Sequence, residues 1–343
     1  MPREGEADRW LSLLPRELEL RLAGARPKLA TCYIGGGTPT VLTAPQWRAL
    51  IAIIEKYFDF ERDAEVTVEA NPNSLGAAQL EEWRDWRVTR LSVGVQSFDD
   101  AELELMGRLH SAAQARCALS AALASGFAVS ADFIFGLPYQ SFENWARTLK
   151  EAMSFGLHHI SLYQLSLEPG TPWEKLDEAI LGDGYIAYRF AQWYLKKKGF
   201  AQYEVANFAR PGCESRHNLN YWREGSYLGL GAGAAGYTEG VRWKNWGTVN
   251  RWAEALEKGE LPTESSEKLS SEARAREAAV LALRTAKGLE TEPYSQSFGE
   301  KELASLREKL SAFPAALWRE SDGCIALTEK GLRVANRIWE EIV

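Results

Sequence analysis

The chain has 343 residues, which is long for one domain and predicts a large α/β unit with a smaller appended domain. Its formal net charge of −7 is spread along the sequence, which argues against nucleic acid or an anionic membrane as the main partner. No apolar run approaches the ~18 residues of a transmembrane helix. The cysteines, Cys32, Cys117, Cys213 and Cys324, are too dispersed for a disulfide framework or a zinc site, which predicts a cytoplasmic location.

Strand-like segments recur along the first half of the chain, with helical patterns between them. This alternation is typical of parallel βαβ units, and the spacing suits either a barrel or a doubly wound sheet. The predicted strands are LATCYI (29–34), AEVTVEA (64–70), VTRLSVGV (88–95), VSADFIFG (129–136) and HISLYQLSL (159–167).

Polar residues decide between the two architectures. Glu69, Gln96 and Gln164 lie at or near the C-terminal ends of their strands, and Asp132 interrupts an otherwise apolar strand. A barrel collects strand-end polar groups of this kind at its mouth, whereas the alternative is four separate loop residues facing water. The pattern favours a TIM-like barrel, whole or partial.

The composition divides the chain into three predicted domains. Residues 1–200 form the partial barrel, residues 201–262 form a lobe rich in Gly, Asn and aromatic residues, and residues 263–343 form the C-terminal domain. In the last domain an amphipathic helix ended by Gly288 precedes further helices and a hairpin with an Asp-Gly turn. That order predicts a small α+β domain of winged-helix type.

The segment CYIGGGTPT (32–40) places three consecutive glycines directly after a strand. Bare backbone at a barrel mouth can bond a polar ligand, although a tight βα turn would also use glycine. Six further motifs accompany it: VEANP, SVGVQSF, MGRLH, DFIFGLPYQ, YQLSLEPGTP and HNLNYW. Together they resemble the radical S-adenosylmethionine (SAM) proteins related to oxygen-independent coproporphyrinogen III oxidase, and most closely the heme chaperone (HemW) family.

The resemblance implies two ligand sites. The SAM contacts of the family fall on Gly36, Gly37, Thr38, Glu69, Gln96, Arg108 and Asp132. Carboxylates suit the ammonium of SAM, and a guanidinium suits its carboxylate, although an isolated arginine is more often a solvated cation. The motif HNLNYW implies heme binding by His217, flanked by Tyr221 and Trp222, against the alternative of a histidine hydrogen-bonded within the lobe.

Two departures from the family qualify that resemblance. The CxxxCxxC motif that holds the [4Fe–4S] cluster is absent from the chain, and none of the four cysteines can replace it by spacing. Ala232 and Ala235 replace a possible Cys and His of relatives.

The nearby GxGxxG at Gly231, Gly233 and Gly236 is not followed by a helix, so we discount it as a dinucleotide site.

The missing cluster motif has two explanations. Either the true start lies upstream of Met1, or the chain is a cluster-free descendant. We favour the first, because removing a first parallel strand would leave the apolar LATCYI with an open edge.

The predicted function is therefore a heme chaperone that binds heme and SAM and delivers heme to acceptor proteins. A [4Fe–4S] cluster is expected only in a longer chain. The first alternative is an oxygen-independent coproporphyrinogen III oxidase of porphyrin biosynthesis. The second is a cluster-free module that binds SAM or a porphyrin without turnover.

Overall fold

The structure of the protein is a computed structural model, which describes residues 5–167 and 173–343. The Glu-Pro-Gly-Thr-Pro part of the motif YQLSLEPGTP lies outside the described residues. The helices are α1 Glu6–Leu22, α2 Ala44–Tyr57, α3 Ala77–Asp85, α4 Asp100–Leu105, α5 Ala112–Ala124, α6 Phe142–Ala152, α7 Gly184–Lys197, α8 Arg216–Trp222, α9 Val249–Glu257, α10 Ser271–Leu283, α11 Thr291–Phe298, α12 Glu300–Ser311, α13 Glu329–Leu332 and α14 Ala335–Ile342, with 3₁₀ turns at Pro39–Val41 and Glu178–Ile180.

The first five strands correspond to the five predicted in the first half of the chain. They are β1 Lys28–Ile34, β2 Asp59–Ala70, β3 Arg90–Gln96, β4 Ala128–Phe135, β5 His159–Gln164, β6 Ala201–Gln202, β7 Asn207–Ala209, β8 Ala235–Thr238, β9 Val241–Asn245, β10 Thr263–Lys268, β11 Leu289–Glu290, β12 Trp318–Ser321 and β13 Cys324–Leu327.

The large sheet has the order β1-β2-β3-β4-β5-β7-β6 and curls into a half-barrel. Strands β1 to β5 are parallel neighbours, which confirms the predicted partial TIM-like barrel. The last two strands differ from that prediction because both of their pairings are antiparallel. They are joined by a short turn, and a turn of that length permits only antiparallel neighbours.

The two faces of the half-barrel have opposite character, because side chains alternate along each strand. On one face Val68, Leu91, Ala131 and Ile160 belong to the main hydrophobic core, which the helices of residues 1–200 cover. The other face is polar. Glu69, Ser92, Ser130 and His159 align across four neighbouring strands, followed by Asp132 and Ser161 in the next row. This polar concave face is called the lumen below.

The outer edge of the sheet is β1. It pairs with β2 and, within residues 5–167 and 173–343, with no other strand of the sheet. The open edge expected for LATCYI is therefore observed. Helix α8 lies against β1, and its His217 contacts the inward side chains Thr31 and Tyr33 of that strand.

The C-terminal domain has a core of its own, built on α10, α12, α14 and the sheet β11-β13-β12. The predicted hairpin turns at Asp322 and Gly323, whose φ angles of 53° and 72° suit an Asp-Gly turn. The helix before it ends at Leu283 rather than at Gly288. Gly288 lies in the following turn, where a Cβ would come within 2.1 Å of the Ile325 carbonyl oxygen.

No helix in the part of the chain that the structure describes is long and apolar enough to cross a membrane.

Candidate ligand sites in the lumen

Glu69 anchors the turn after β1. Its Oε2 accepts a hydrogen bond from the Gly36 backbone N–H at 3.0 Å, and its Oε1 accepts one from the Tyr33 hydroxyl at 2.8 Å. Since a carboxylate can accept about four hydrogen bonds, the carboxylate of Glu69 keeps free lone pairs. Two of the predicted SAM contacts, Glu69 and Gly36, thus contact each other, and the Glu69 carboxylate can still receive an ammonium group.

The presence of glycine at the three positions of this turn has a different physical explanation at each. A Cβ on Gly35 would lie 2.5 Å from Glu69 Cδ and 2.6 Å from Tyr33 Cε1, so packing excludes a side chain there. Gly36 has a φ of 78°, which favours glycine. A Cβ on Gly37 would meet nothing within 4 Å, so its backbone borders open space. Packing explains Gly35 and the φ angle explains Gly36. For Gly37 the predicted close approach of a ligand is the remaining explanation.

Asp132 lies on β4 and accepts hydrogen bonds from hydroxyl groups on its own and a neighbouring strand. The Ser92 hydroxyl is 2.9 Å from Asp132 Oδ2, and the Ser130 hydroxyl is 3.3 Å from Oδ1. Burial raises the pKa of Asp132, and these hydroxyl groups, with Ser161, partly oppose the increase. The arrangement leaves an acceptor-rich carboxyl group in the lumen, suited to ribose hydroxyl groups.

The lumen is an acidic environment. Burial and the charges of Glu69 and Asp132 raise the pKa of Tyr33, and the same two carboxylates contribute to the raised pKa of Tyr163. Both phenols therefore stay protonated at neutral pH, and the Tyr33 hydroxyl donates to Glu69. Carboxylates that act together on the same two phenols create a negative potential, which attracts a cationic ligand.

Gln96 closes β3 in a strained conformation. Its φ of 68° lies in the left-handed region, and the residue is 8% exposed. A Cβ on Gly94 would lie 3.0 Å from Gln96 Nε2, which explains the glycine two residues earlier. Strained non-glycine residues are concentrated at functional sites, so this geometry is consistent with the predicted role of Gln96.

Arg108 lies in the loop after α4, and His110 fixes that loop. His110 is buried, with Nε2 at 2.9 Å from the Val95 carbonyl oxygen at the end of β3. Arg108 as a residue is exposed, whereas partial desolvation of its guanidinium lowers its pKa. The guanidinium has no acceptor among the described residues. It is therefore free to bind a carboxylate.

His217 lies on α8 against the open edge of the sheet. Its Nδ1 is 2.8 Å from Thr31 Oγ1, and its Nε2 is 2.8 Å from Tyr221 Oη. The imidazole stacks on the Tyr33 ring, with a centroid distance of 5.2 Å and an interplanar angle of 22°. Burial lowers the pKa of His217, which keeps the imidazole neutral. Both ring nitrogens are thus partnered, Nε2 by Tyr221 of the same helix and Nδ1 by Thr31 of the half-barrel.

Glu65 of β2 holds α8 in place. Its carboxylate accepts the backbone N–H groups of Arg216 and His217, each at 3.0 Å, and the Ser215 hydroxyl at 3.3 Å. A carboxylate at a helix N-terminus satisfies otherwise unpaired N–H groups and interacts favourably with the helix dipole. Glu65 therefore fixes the position of the HNLNYW helix on the sheet.

Trp222 does not join His217 and Tyr221. It packs under Arg284 of the C-terminal domain, whose guanidinium carbon lies 4.5 Å from the Trp222 ring centre and 4.6 Å from that of Trp339. In this structure Trp222 is a domain contact. Tyr33 and Tyr227 instead complete the aromatic surroundings of Tyr221 and His217.

The residues present do not fit a [4Fe–4S] cluster. All four cysteines are free, and no three His, Cys, Asp or Glu residues of the described chain are grouped to hold a metal ion. Cys32 is the cysteine next to the lumen motifs, and burial raises its pKa to about 12, so it stays a thiol rather than the thiolate that ligates iron. No step through a cluster is derived for this chain.

Three contacts of the site escaped the sequence interpretation: Thr31, Tyr33 and Glu65. Thr31 and Tyr33 lie two residues apart on β1, and Glu65 is the register partner of Thr31 on β2, which places all three on one face. Their partner His217 follows 186 residues after Thr31 and 152 residues after Glu65. The period-2 pattern of LATCYI and AEVTVEA could have identified the inward face. It could not have identified the helix that packs on it.

Two family models match the chain. The family model described as the radical SAM superfamily matches residues 4–152, and the HemN C-terminal domain matches residues 269–334. The chain is 34% identical to the heme chaperone HemW of Lactococcus lactis over 334 residues, covering 92% of this chain and 85% of the relative. It is 32% identical to the heme chaperone HemW of Bacillus subtilis over 350 residues, covering 97% and 90%.

Among solved structures, the coproporphyrinogen III oxidase HemN of Escherichia coli, described as a radical SAM enzyme, matches with a TM-score of 0.86. The match covers 100% of this chain and 84% of that one at 22% sequence identity. At that identity the similarity establishes the fold.

Proposed function

Because the chain belongs to the heme chaperone HemW family of radical SAM proteins, we propose that it binds heme and delivers it to acceptor proteins. Heme is the cargo in this proposal, and His217 is its ligand. The observation that carries the proposal is a neutral imidazole in an aromatic setting, whose Nε2 is covered by a single hydroxyl group, that of Tyr221.

The hydrogen bonds of His217 suit reversible binding. In the tautomer with Nδ1–H donating to Thr31 Oγ1, Nε2 carries the lone pair that iron requires and accepts the Tyr221 hydroxyl. Binding then requires Tyr221 to turn away, and release is assisted when Tyr221 returns. Heme that must displace the Tyr221 hydroxyl from His217 Nε2 binds less tightly than heme at an imidazole with a free Nε2. Weaker binding suits a protein that transfers its heme to another protein.

We further propose that SAM binds in the lumen. The carboxylate of Glu69 receives its ammonium, Arg108 binds its carboxylate, and Asp132 and Gln96 face its ribose. Gly36, Gly37 and Thr38 border the amino-acid end. The acidic potential of the lumen favours the sulfonium cation. The residues of this chain bind and orient SAM.

The dispersed cysteines favour one further candidate, a module that binds SAM and a porphyrin without turnover. It differs from the chaperone in that heme would not be passed on. The oxidase alternative depends on cluster chemistry, for which this chain has no ligand set.

The proposal includes acceptor proteins as partners and a cytoplasmic location. It also keeps the division into domains 1–200, 201–262 and 263–343, with β6 and β7 completing the large sheet across the first boundary and β10 pairing with β9 across the second.

Heme binding is tested by absorbance titration of the purified protein. The wild type is expected to give a saturable Soret band of a histidine-ligated heme, and His217→Ala is expected to lose it. His158→Ala is the matched control, because the imidazole of His158 accepts a hydrogen bond from the Val129 backbone N–H on the strand and has no other hydrogen-bond partner among the described residues. A Soret band unaltered by His217→Ala would remove that residue as the ligand.

SAM binding is tested by calorimetry. Glu69→Gln and Asp132→Asn are each expected to weaken it about tenfold or more, since each removes charge-assisted hydrogen bonds. Glu61→Gln, at the half-exposed start of the strand that carries Glu69, is the control. A flat titration with the wild type would contradict the SAM part of the proposal and leave the heme part standing.

A further inference from the structure

Tyr33 contacts both candidate sites at once. Its hydroxyl group donates to Glu69 Oε1 at 2.8 Å, and its ring stacks on the imidazole of His217 with centroids 5.2 Å apart. The phenol is rigid, so a movement of the hydroxyl end also moves the stacked face. One side chain therefore links the carboxylate proposed for SAM with the histidine proposed for heme.

The packing around Tyr33 leaves little room for independent movement. The position of a Cβ on Gly35 would be 2.5 Å from Glu69 Cδ and 2.6 Å from Tyr33 Cε1, which shows how closely these two side chains enclose the turn. A shift of Glu69 toward a ligand is thus transmitted to Tyr33. Thr31, two residues earlier on the same strand, holds the other side of His217.

His217 needs freedom to bind iron. Its ring is fixed by Thr31 at Nδ1, by Tyr221 at Nε2 and by Tyr33 on its face. Exposing Nε2 requires the ring or Tyr221 to move, and the stacked Tyr33 opposes movement of the ring. Anything that loosens Tyr33 lowers the free-energy cost of presenting Nε2.

We propose that Tyr33 is a positioning residue that couples the two sites, so that SAM binding at Glu69 strengthens heme binding at His217. The ammonium of SAM draws the Glu69 carboxylate toward itself, the Tyr33 hydroxyl loses its hydrogen bond to Oε1, and the imidazole becomes free to turn. This inference rests on the proposed function. By linkage, heme strengthens SAM binding by the same factor.

The experiment measures the heme dissociation constant by Soret titration of the full chain, with and without saturating SAM. For the wild type, SAM is expected to lower the constant about fivefold or more, the lower end of typical coupling. Tyr33→Phe keeps the ring but removes the hydroxyl bond to Glu69. Without SAM it is expected to bind heme as tightly as the wild type does with SAM, and to show no further response to SAM.

The control is Tyr57→Phe, which removes a similar tyrosine-to-glutamate hydrogen bond, to Glu19 on the protein surface. It should keep the SAM response of the wild type. Equal heme affinity of the wild type with and without SAM would overturn the coupling without any variant having to fold. An unchanged SAM response in Tyr33→Phe would also overturn it. Failure of the wild type to bind heme at all would instead refute the proposed function.

Discussion

The Gly231 backbone N–H donates to the buried carboxylate of Glu17 across 214 residues of sequence, at 2.9 Å. The same carboxylate accepts hydrogen bonds from Arg21 at 3.0 Å, from Asn245 at 2.7 Å and from Trp252 at 2.9 Å. Glu17 is fully buried, and it joins α1 to the glycine-rich lobe and to α9. Gly231, the first glycine of the GxGxxG pattern, therefore takes part in a structural contact.

Glu17→Ala is expected to be strongly destabilising. It leaves Arg21, whose side chain is 7% exposed, without its carboxylate and removes the acceptor of three other buried donors. Breaking a buried ion pair from one side costs about 3–5 kcal/mol. Urea unfolding of the variant should show a loss of that size, while the exposed Glu81→Ala should stay within about 0.5 kcal/mol of the wild type. Similar losses for both would contradict this account of Glu17.

Stability should depend on pH through Glu204. Burial raises the pKa of this fully buried glutamate from 4.5 to about 7, so the folded protein binds a proton that the unfolded chain has lost. The free energy of unfolding therefore falls as pH rises from about 4.5 to 7, by about 3 kcal/mol from this group.

Glu204→Gln removes that titration and should flatten the dependence between pH 5 and pH 7, roughly the window set by these two pKa values. The glutamine side-chain oxygen can still accept the Ala206 backbone N–H, which in the wild type lies 2.9 Å from Glu204 Oε1. Denaturation at several pH values gives the comparison. An equal slope in the wild type and the variant would show that Glu204 is not the group responsible.

Tyr221→Phe should strengthen heme binding. It removes the hydroxyl that covers His217 Nε2 at 2.8 Å and keeps the ring that packs edge-on against the imidazole. Since a net hydrogen bond is worth about 1 kcal/mol, the heme dissociation constant should fall about fivefold. Soret titration measures it. A weaker affinity in Tyr221→Phe would mean that the Tyr221 hydroxyl supports heme binding instead of competing with it.

The glycine turn offers a stability test in the ligand-free protein. Gly35→Ala places a Cβ 2.5 Å from Glu69 Cδ and should cost about 1–3 kcal/mol, as overpacking does. Gly37→Ala places its Cβ in open space and should change stability by less than about 0.5 kcal/mol. Thermal unfolding of the two variants side by side should separate them, and equal effects would refute the packing reason given for Gly35.

Much of the fold could be predicted from the sequence, because local patterns carry it. The five parallel strands and the C-terminal hairpin follow from alternation, spacing and the Asp-Gly turn, and the motif combination identified the family, as the comparisons confirm. The antiparallel β7 was not predicted, because three residues are too few to show a period.

The site was less predictable, since its contacts join distant segments. The pair Thr31 and His217 is separated by 186 residues, and no local pattern connects them. The structure places Glu69 with Gly36, and His217 with Tyr221, whereas Trp222 lies against Arg284 instead. The ligand roles of these residues remain predictions.

Heme transfer tests the central claim most directly. The chain is loaded with one equivalent of heme, mixed with an excess of an apo heme protein whose Soret maximum differs, and followed by absorbance. A chaperone should lose its Soret band while the acceptor gains its own, at a rate faster than that of free heme loss into buffer. A Soret band that stays with this chain, or transfer that proceeds only at the rate of passive heme loss, would contradict the chaperone assignment.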